Sequence, residues 1–347
     1  MKRTLAALLI LPLVASAAPS KTVWATVAGY AGSAPLTNFP VLVKLSEGAV
    51  PGFHYADCAA GGTDLSFADA AGNALPFDVD TWDASGTSLV WVLLPEVAPG
   101  GATSFKIGWA DPNPPAANAA AVWTGSGHKG VWHMNSASPA DASGSGNDGT
   151  AAGSVAITNG PVGSALSYPN TSSYVSCGSS LPEADLIGGS TVEGWVNLAS
   201  TSGNKALFGK SGFISYRMEG TAVKITTPKV KDYTNVEKFI TAANEWHHFA
   251  LSFVPNVKDG GAKHYRDGVL KASQETTGIN NVTGSIEMWL GRNQWGNDQN
   301  FLGLLDEYRI SDCIRSADWI AADYAQVAGD GFVEFDASGP ASMVFFF

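Results

Sequence analysis

Apolar and polar residues alternate with a period of two along most of this chain. Phe39, Val41, Val43 and Leu45 mark one such run, and Phe105, Ile107 and Trp109 another. Successive side chains of a strand point to opposite faces, so each run predicts a strand with one buried face. Ser88 to Val97 is more continuously apolar and predicts a strand covered on both faces. Farther along, Val192, Val196 and Leu198 alternate with Glu193, Trp195 and Asn197. His247, Phe249, Leu251 and Phe253 alternate with Trp246, His248, Ala250 and Ser252, and Ile286, Met288 and Leu290 repeat the pattern. Asp267-Gly268, between Tyr265 and Val269, predicts a two-residue hairpin turn. Only Ser316 to Val327 reads as a helix: Ser316 can cap it, and Trp319, Ile320, Tyr324 and Val327 fall at helical spacing.

The strands divide into two β-rich modules, residues 22–111 and 127–335. Between them, residues 112–126 hold Asp111-Pro-Asn-Pro-Pro and the alanines of 116–121, which reads as a semi-rigid Pro/Ala spacer. Residues 336–347 read as a tail ending in Met343-Val-Phe-Phe-Phe347, too short to span a bilayer. Such an apolar end suggests a shortened chain whose longer relatives continue. The expected class is all-β: an N-terminal β-sandwich, then a large antiparallel sandwich or jelly roll with one short late helix.

Composition narrows the function. The 347 residues carry Lys+Arg 20 against Asp+Glu 31, a net charge of -11, with Gly 39 and Trp 11 in excess. No basic stripe exists to displace counterions, which argues against a nucleic-acid binder. Lys2 and Arg3, the apolar run Leu5 to Val14 and Ala15-Ser16-Ala17 read as a secretory signal peptide over residues 1–17. The expected localisation is therefore secreted, periplasmic or cell-surface, without a membrane span. Of the three cysteines, Cys177 and Cys313 could bridge or stand as separate buried thiols.

The second module resembles the laminin-G-like modules of the concanavalin A-like lectin/glucanase superfamily. The resemblance is carried by Gly130-Val-Trp-His-Met134, Asp141-Ala-Ser-Gly-Ser-Gly-Asn-Asp-Gly149, Thr191-Val-Glu-Gly-Trp195, Glu245-Trp-His-His-Phe249, Tyr265-Arg-Asp-Gly268 and Phe301-Leu-Gly-Leu-Leu-Asp-Glu-Tyr-Arg-Ile310. The first module is similar to the bacterial domain of unknown function 2341, through Phe39-Pro-Val-Leu-Val-Lys44, Thr63-Asp-Leu-Ser-Phe67, Leu75-Pro-Phe77 and the strand around Trp91. That family commonly precedes laminin-G-like modules in exported bacterial proteins.

By strict alternation Asp306 shares strand parity with Leu302, Leu304, Tyr308 and Ile310. A carboxylate on an apolar face needs hydrogen bonds, a proton or a cation. Calcium accepts carboxylates, amides and carbonyls together. The resemblance implies a structural calcium near this last long strand, with ligands from an early loop. Asp141, Asn147 and Asp306 are the candidate metal residues; loop amides around Asp306 and a tight turn at Asp141 are the alternative. Trp246-His247-His248 reads as a packing strand, because adjacent histidines point to opposite faces and cannot easily share an ion.

Glycoside hydrolysis requires two facing carboxylates, and no Glu-x-Asp-x-Glu strand occurs; nor does a Gly-x-Ser-x-Gly or a His-Glu-x-x-His. No enzyme activity is expected. The recognition candidate is the loop from Asn293 to Asn300, where Trp295 could stack on a sugar while Asn293, Gln294 and Asn297 offer paired donors and acceptors. A hydrophilic hairpin with a half-buried tryptophan accounts for the same residues. The expected function is carbohydrate or glycoconjugate recognition. A structural or adhesive protein-interaction role, or the periplasmic part of a larger membrane complex, are its rivals.

Overall fold

A computed structural model describes residues 19–181, 187–279, 286–295 and 299–338. The leader expected at 1–17, Asn297 and the apolar end of the tail lie outside them. The protein is all-β, and among the described residues two short helices accompany strands paired antiparallel with their neighbours.

The first module is a sandwich of a four-stranded and a three-stranded sheet. Val23, Phe39, Val41, Val43, Phe67, Val90, Val92, Phe105 and Ile107 fill its core. The second module packs an eight-stranded sheet on a seven-stranded one. Between them lie Val192, Val196, Leu198, Phe249, Leu251, Phe253, Met288, Leu290 and Tyr308. For these residues the faces expected from alternation are the faces observed. The Ala262–Arg266 and Val269–Gln274 strands flank the expected Asp267-Gly268 turn.

The Ser88–Val97 strand is covered on both sides, as its continuous apolar run predicts. Val90, Val92 and Leu94 enter the first core. Leu89, Trp91 and Leu93 enter a second apolar layer with Leu42, Trp123, Val131, Val162, Trp195 and Val327. That layer is the seam between the modules: the outer face of the three-stranded sheet lies on the outer face of the eight-stranded one.

Two boundaries differ from the sequence reading. Residues 112–126 are not a plain spacer, because Ala119–Gly125 is a helix whose Val122 and Trp123 are fully buried in the seam. Asn118 caps it, its side chain accepting from Ala121 N. An N-cap followed by alanines is a helix-start signal that the neighbouring prolines obscure. The second module also does not close on itself at 335. The Val333–Asp336 strand pairs antiparallel with Lys21–Val27 in the first module's sheet. The expected late helix spans Ala317–Ala328, capped by Ser316 accepting from Trp319 N. Its Trp319, Ile320 and Ala322 pack into the first module's core.

All three cysteines are free thiols, so Cys177 and Cys313 are separate side chains, not a bridge. Among the described residues, no helix is long and apolar enough to cross a membrane.

Candidate functional site

The recognition loop lies on the outer face of the seven-stranded sheet. Ile214, Tyr216 and Met218 point into the core, so Ser215, Arg217 and Glu219 point outward. The loop crosses over Gly209, where a Cβ would meet the Arg292 carbonyl oxygen at 2.5 Å. Only glycine lets the backbone approach this closely. Asn293 is completely buried: its Nδ2 donates to Gln299 Oε1 at 3.0 Å and its Oδ1 accepts from Trp295 N at 3.0 Å. It therefore shapes the loop and is not displayed on it, a correction to its place among the expected ligand-binding residues. Gln294 is exposed, its Oε1 accepting from Gly212 N.

Trp295 stands 40% exposed, with the Arg217 guanidinium 5.4 Å from its ring centroid. Arg217 is held by Glu219 Oε1 at 2.7 Å, and Glu219 Oε2 also accepts from Lys224 Nζ at 3.4 Å. The Glu219 carboxyl is pushed up by burial, but Arg217 and Lys224 hold it net below its usual range. Beside this array, Arg292 lies 4.3 Å from the Tyr174 ring and 5.3 Å from that of Trp289. The face thus combines one exposed indole with a fixed polar floor. Arg217 was legible only as an outward position on an alternating strand, and nothing local ties it to Trp295.

The expected calcium residues occupy two separate settings. Asp141 accepts from Val131 N, Ser143 N and Ser143 Oγ through Oδ1, and from Asn147 N and Nδ2 through Oδ2. Asn147 Nδ2 also donates to the Lys129 carbonyl at 2.9 Å. Asp306 accepts from Val162 N at 3.0 Å and Glu307 N at 2.8 Å. A cation would compete with these donors.

The parity assigned to Asp306 is corrected. A bulge interrupts the Gly303–Ser311 strand, where Glu193 and Trp195 face Arg309 and Asp306. Glu307 takes the extra position, with φ 47°. Gly194 opposite has no side chain, and a Cβ there would meet the Tyr308 ring at 2.7 Å. Leu305, Tyr308 and Ile310 therefore face the core, while Asp306, Glu307 and Arg309 turn together to the other side, toward the seam.

There they join a buried polar layer that sequence reasoning missed. His133 Nδ1 is 2.7 Å from Glu307 Oε1, and its Nε2 is 3.0 Å from Asp78 Oδ2. Trp123 Nε1 donates to the same Asp78 oxygen at 2.8 Å. Arg309 donates to Glu307 Oε2 at 2.6 Å and to Asp323 Oδ1 at 2.7 Å, its guanidinium 4.3 Å from the Trp91 ring. Burial alone would push the His133 imidazole down, but Glu307 and Asp80 raise it well above its usual value. Burial, reinforced by Glu307 and Asp78, pushes Asp80 up to about 7 against the pull of His133. Glu193 is likewise pushed up to about 7, by burial and then by the Asp323 charge. Its strand partner across the sheet is Ala250, and nothing in the local sequence ties it to His248 or Asp323.

The model for the concanavalin A-like lectin/glucanases superfamily, laminin G type, matches residues 169–321. That for domain of unknown function 2341 matches residues 61–129. The chain thus carries a concanavalin A-like domain preceded by a domain of unknown function 2341. No curated protein matches it. Among solved structures it is similar to domain 4 of AbnA, a GH43 extracellular arabinanase from Geobacillus stearothermophilus, in complex with arabinotriose. That match has 22% identity and a TM-score of 0.44, covering 57% of this chain and 98% of the domain. The binding domain of Paraclostridial Mosquitocidal Protein 1 matches at 14% identity and a TM-score of 0.44, covering 57% of this chain and 52% of that one. The receptor binding domain of botulinum neurotoxin C/D mosaic serotype matches at 13% and 0.45, covering 57% and 51%. The chain spans about half the length of these two toxin domains.

Proposed function

We propose that this is a non-catalytic, extracytoplasmic binding protein, secreted, periplasmic or cell-surface, whose concanavalin A-like domain recognises a carbohydrate or glycoconjugate. The observation that carries the reading is Trp295, an indole displayed on a sheet face rather than folded into a core. Its ring offers a stacking surface for the apolar face of a pyranose or furanose. The Arg217–Glu219–Lys224 array beneath it supplies hydrogen-bonding groups whose geometry is fixed in advance. The first module acts as a rigid platform, since the seam with the second combines an apolar layer with buried charged pairs.

A glycan array probed with the full chain and with Trp295→Ala tests this reading. Binding to a defined glycan class, weakened about tenfold or more by the substitution, supports it. A blank array overturns it in favour of protein docking. That second reading has its own support in Val269 and Leu270, 54% and 45% exposed on the edge strand of the eight-stranded sheet.

A further inference from the structure

Four side chains from four elements of the second module converge beneath the Ala317–Ala328 helix. Glu193 comes from the Ser190–Leu198 strand, His248 from Trp246–Phe253, His128 from His128–Trp132 and Asp323 from the helix itself. All four are buried, at 1%, 1%, 1% and 3% exposure. Neither oxygen of Glu193 meets a hydrogen-bond donor, and His248 Nε2 and His128 Nε2 are also without a partner. Unsatisfied polar atoms at this depth are costly, and several pointing into one spot call for a common explanation.

The separations supply one. Glu193 Oε1 lies 3.7 Å from His128 Nε2, and His248 Nε2 lies 3.4 Å from Asp323 Oδ2. The ligating atoms of Glu193, His248 and Asp323 all fall within 4.8 Å of one another. These distances are long for imidazole–carboxylate hydrogen bonds, which run about 2.7–3.0 Å. The His248–Asp323 separation matches one edge of a tetrahedron around zinc, about 3.4 Å for metal–ligand bonds near 2.0–2.1 Å. We propose that Glu193, His248 and Asp323 form a buried structural zinc site that fastens the late helix to the eight-stranded sheet, with His128 beside Glu193 as a supporting group.

The donor chemistry selects the ion. An imidazole with two carboxylates suits zinc, whereas calcium and magnesium favour oxygen alone. Supporting contacts orient the ligands and His128: Asp323 Oδ1 accepts from Arg309 Nη1 at 2.7 Å and from Gln326 Nε2 at 3.0 Å. His128 Nδ1 is 2.8 Å from Ser126 Oγ, and the His248 ring packs against Trp195 and Tyr324. Such outer contacts hold carboxylate and ring in place, while His248 Nδ1 itself meets no hydrogen-bond partner. Charge permits the ion as well. The buried acids of the layer, Asp78, Asp80, Glu193, Asp306, Glu307 and Asp323, outnumber its cations, Arg309, Arg315 and the His133 imidazolium. The neighbouring group of Asp80, His133 and Glu307 does not make a second site, because both nitrogens of His133 are hydrogen-bonded to carboxylates.

The test refolds the full chain, free of affinity-tag histidines, from urea in the presence of Zn2+ or of chelator. Zinc per chain is measured by elemental analysis after gel filtration, and Tm by near-ultraviolet circular dichroism. The wild-type chain should retain about one zinc and melt several degrees higher with it. Its Co2+ form should show the visible absorption of a tetrahedral site. Glu193→Gln and His248→Gln should bind zinc about a hundredfold more weakly and alter that spectrum. His247→Gln, one residue along on the opposite face, should leave both unchanged. Wild-type protein that refolds without zinc to the same Tm, and takes none up, overturns the proposal. So does a folded Glu193→Gln with undiminished zinc affinity. Should that variant fail to fold, the wild-type refolding comparison decides alone.

Discussion

His133 Nε2 lies 3.0 Å from Asp78 Oδ2, so an imidazole of the second module is paired with a carboxylate of the first. The contact sits inside the seam, where His133 is 6% exposed and Asp78 8%. Glu307 holds the other ring nitrogen at 2.7 Å. Both nitrogens face carboxylates, so the ring is bound as imidazolium, and its charge ties the two modules together.

This arrangement makes the seam sensitive to alkali. His133 is raised well above its ordinary value in the folded state: burial lowers it, and Glu307 and Asp80 more than reverse that. A raised imidazole stabilises fully below its unfolded pKa, about 6.5, and the contribution is lost as pH rises through the folded value. Asp80, pushed up to about 7 by burial, works in the same direction. Its unfolded value is near 3.9, so stability falls between about pH 4 and 7 as the unfolded chain releases its proton first. We expect Tm to fall as pH rises from 5 to 8 at fixed ionic strength. Asp80→Asn should flatten the lower part of that slope. A Tm independent of pH over this range would contradict the assignment.

Arg309 should be among the most costly residues to truncate. Its guanidinium pairs with Glu307 at 2.6 Å and Asp323 at 2.7 Å, and lies against Trp91 and Trp123 at 4.3 and 5.0 Å from their rings. Arg309→Ala removes the cation that Glu307 and Asp323 share and opens a cavity beside the indoles, a loss of about 3–5 kcal/mol. Arg309→Lys should recover only part, because a compact ammonium lacks the planar fork that reaches both carboxylates while lying over the indoles. Urea denaturation of the three chains measures the difference.

The apolar faces were legible in the sequence and this layer was not, for one physical reason. Period-two alternation reports which residues share a face only while the strand is regular. It placed Val192, Val196, Phe249 and Leu251 correctly, but it carried Asp306 to the wrong side, because the bulge at Glu307 inserts one residue and reverses parity. Glu193 and His248 were correctly set on the polar face of their strands. That this face would be roofed by a helix and a second module depends on contacts between residues far apart in sequence, such as Leu42 N donating to Gln326 Oε1 at 2.9 Å. The Trp295 loop was visible as a polar run with one aromatic. Its docking over Gly209 was not.

Gly209 offers a direct test of that docking. A Cβ at this position would meet backbone atoms of Arg292 and Asn293 at 2.5 and 2.9 Å, and backbone cannot step aside as a flexible side-chain tip would. Gly209→Ala should lift the loop from the sheet at a cost of about 1–3 kcal/mol. The shift would carry Trp295 away from Arg217, so glycan affinity should fall with it. Trp295→Ala, at an exposed position, should lower affinity while changing stability by no more than about 0.5 kcal/mol. Paired Tm and binding measurements on the two variants separate scaffold from contact surface.

The Val333–Asp336 strand yields the last prediction. It covers the edge of Lys21–Val27, pairing Trp24 with Asp336 and Val27 with Val333. Just before it, the Phe332 carbonyl accepts from Gly29 N at 3.1 Å, and the Phe332 ring is buried in the first module's core. A chain stopped after Gly329 would expose the row of edge amides and leave a cavity the size of a phenyl ring. The cavity alone should cost about 3–5 kcal/mol, and the bared edge is a template for pairing with another chain. Such a chain should elute as larger species in gel filtration and be cut by protease within the first module sooner than in the second. Unchanged elution and an unchanged cleavage pattern would show that the first sandwich closes without its distant strand.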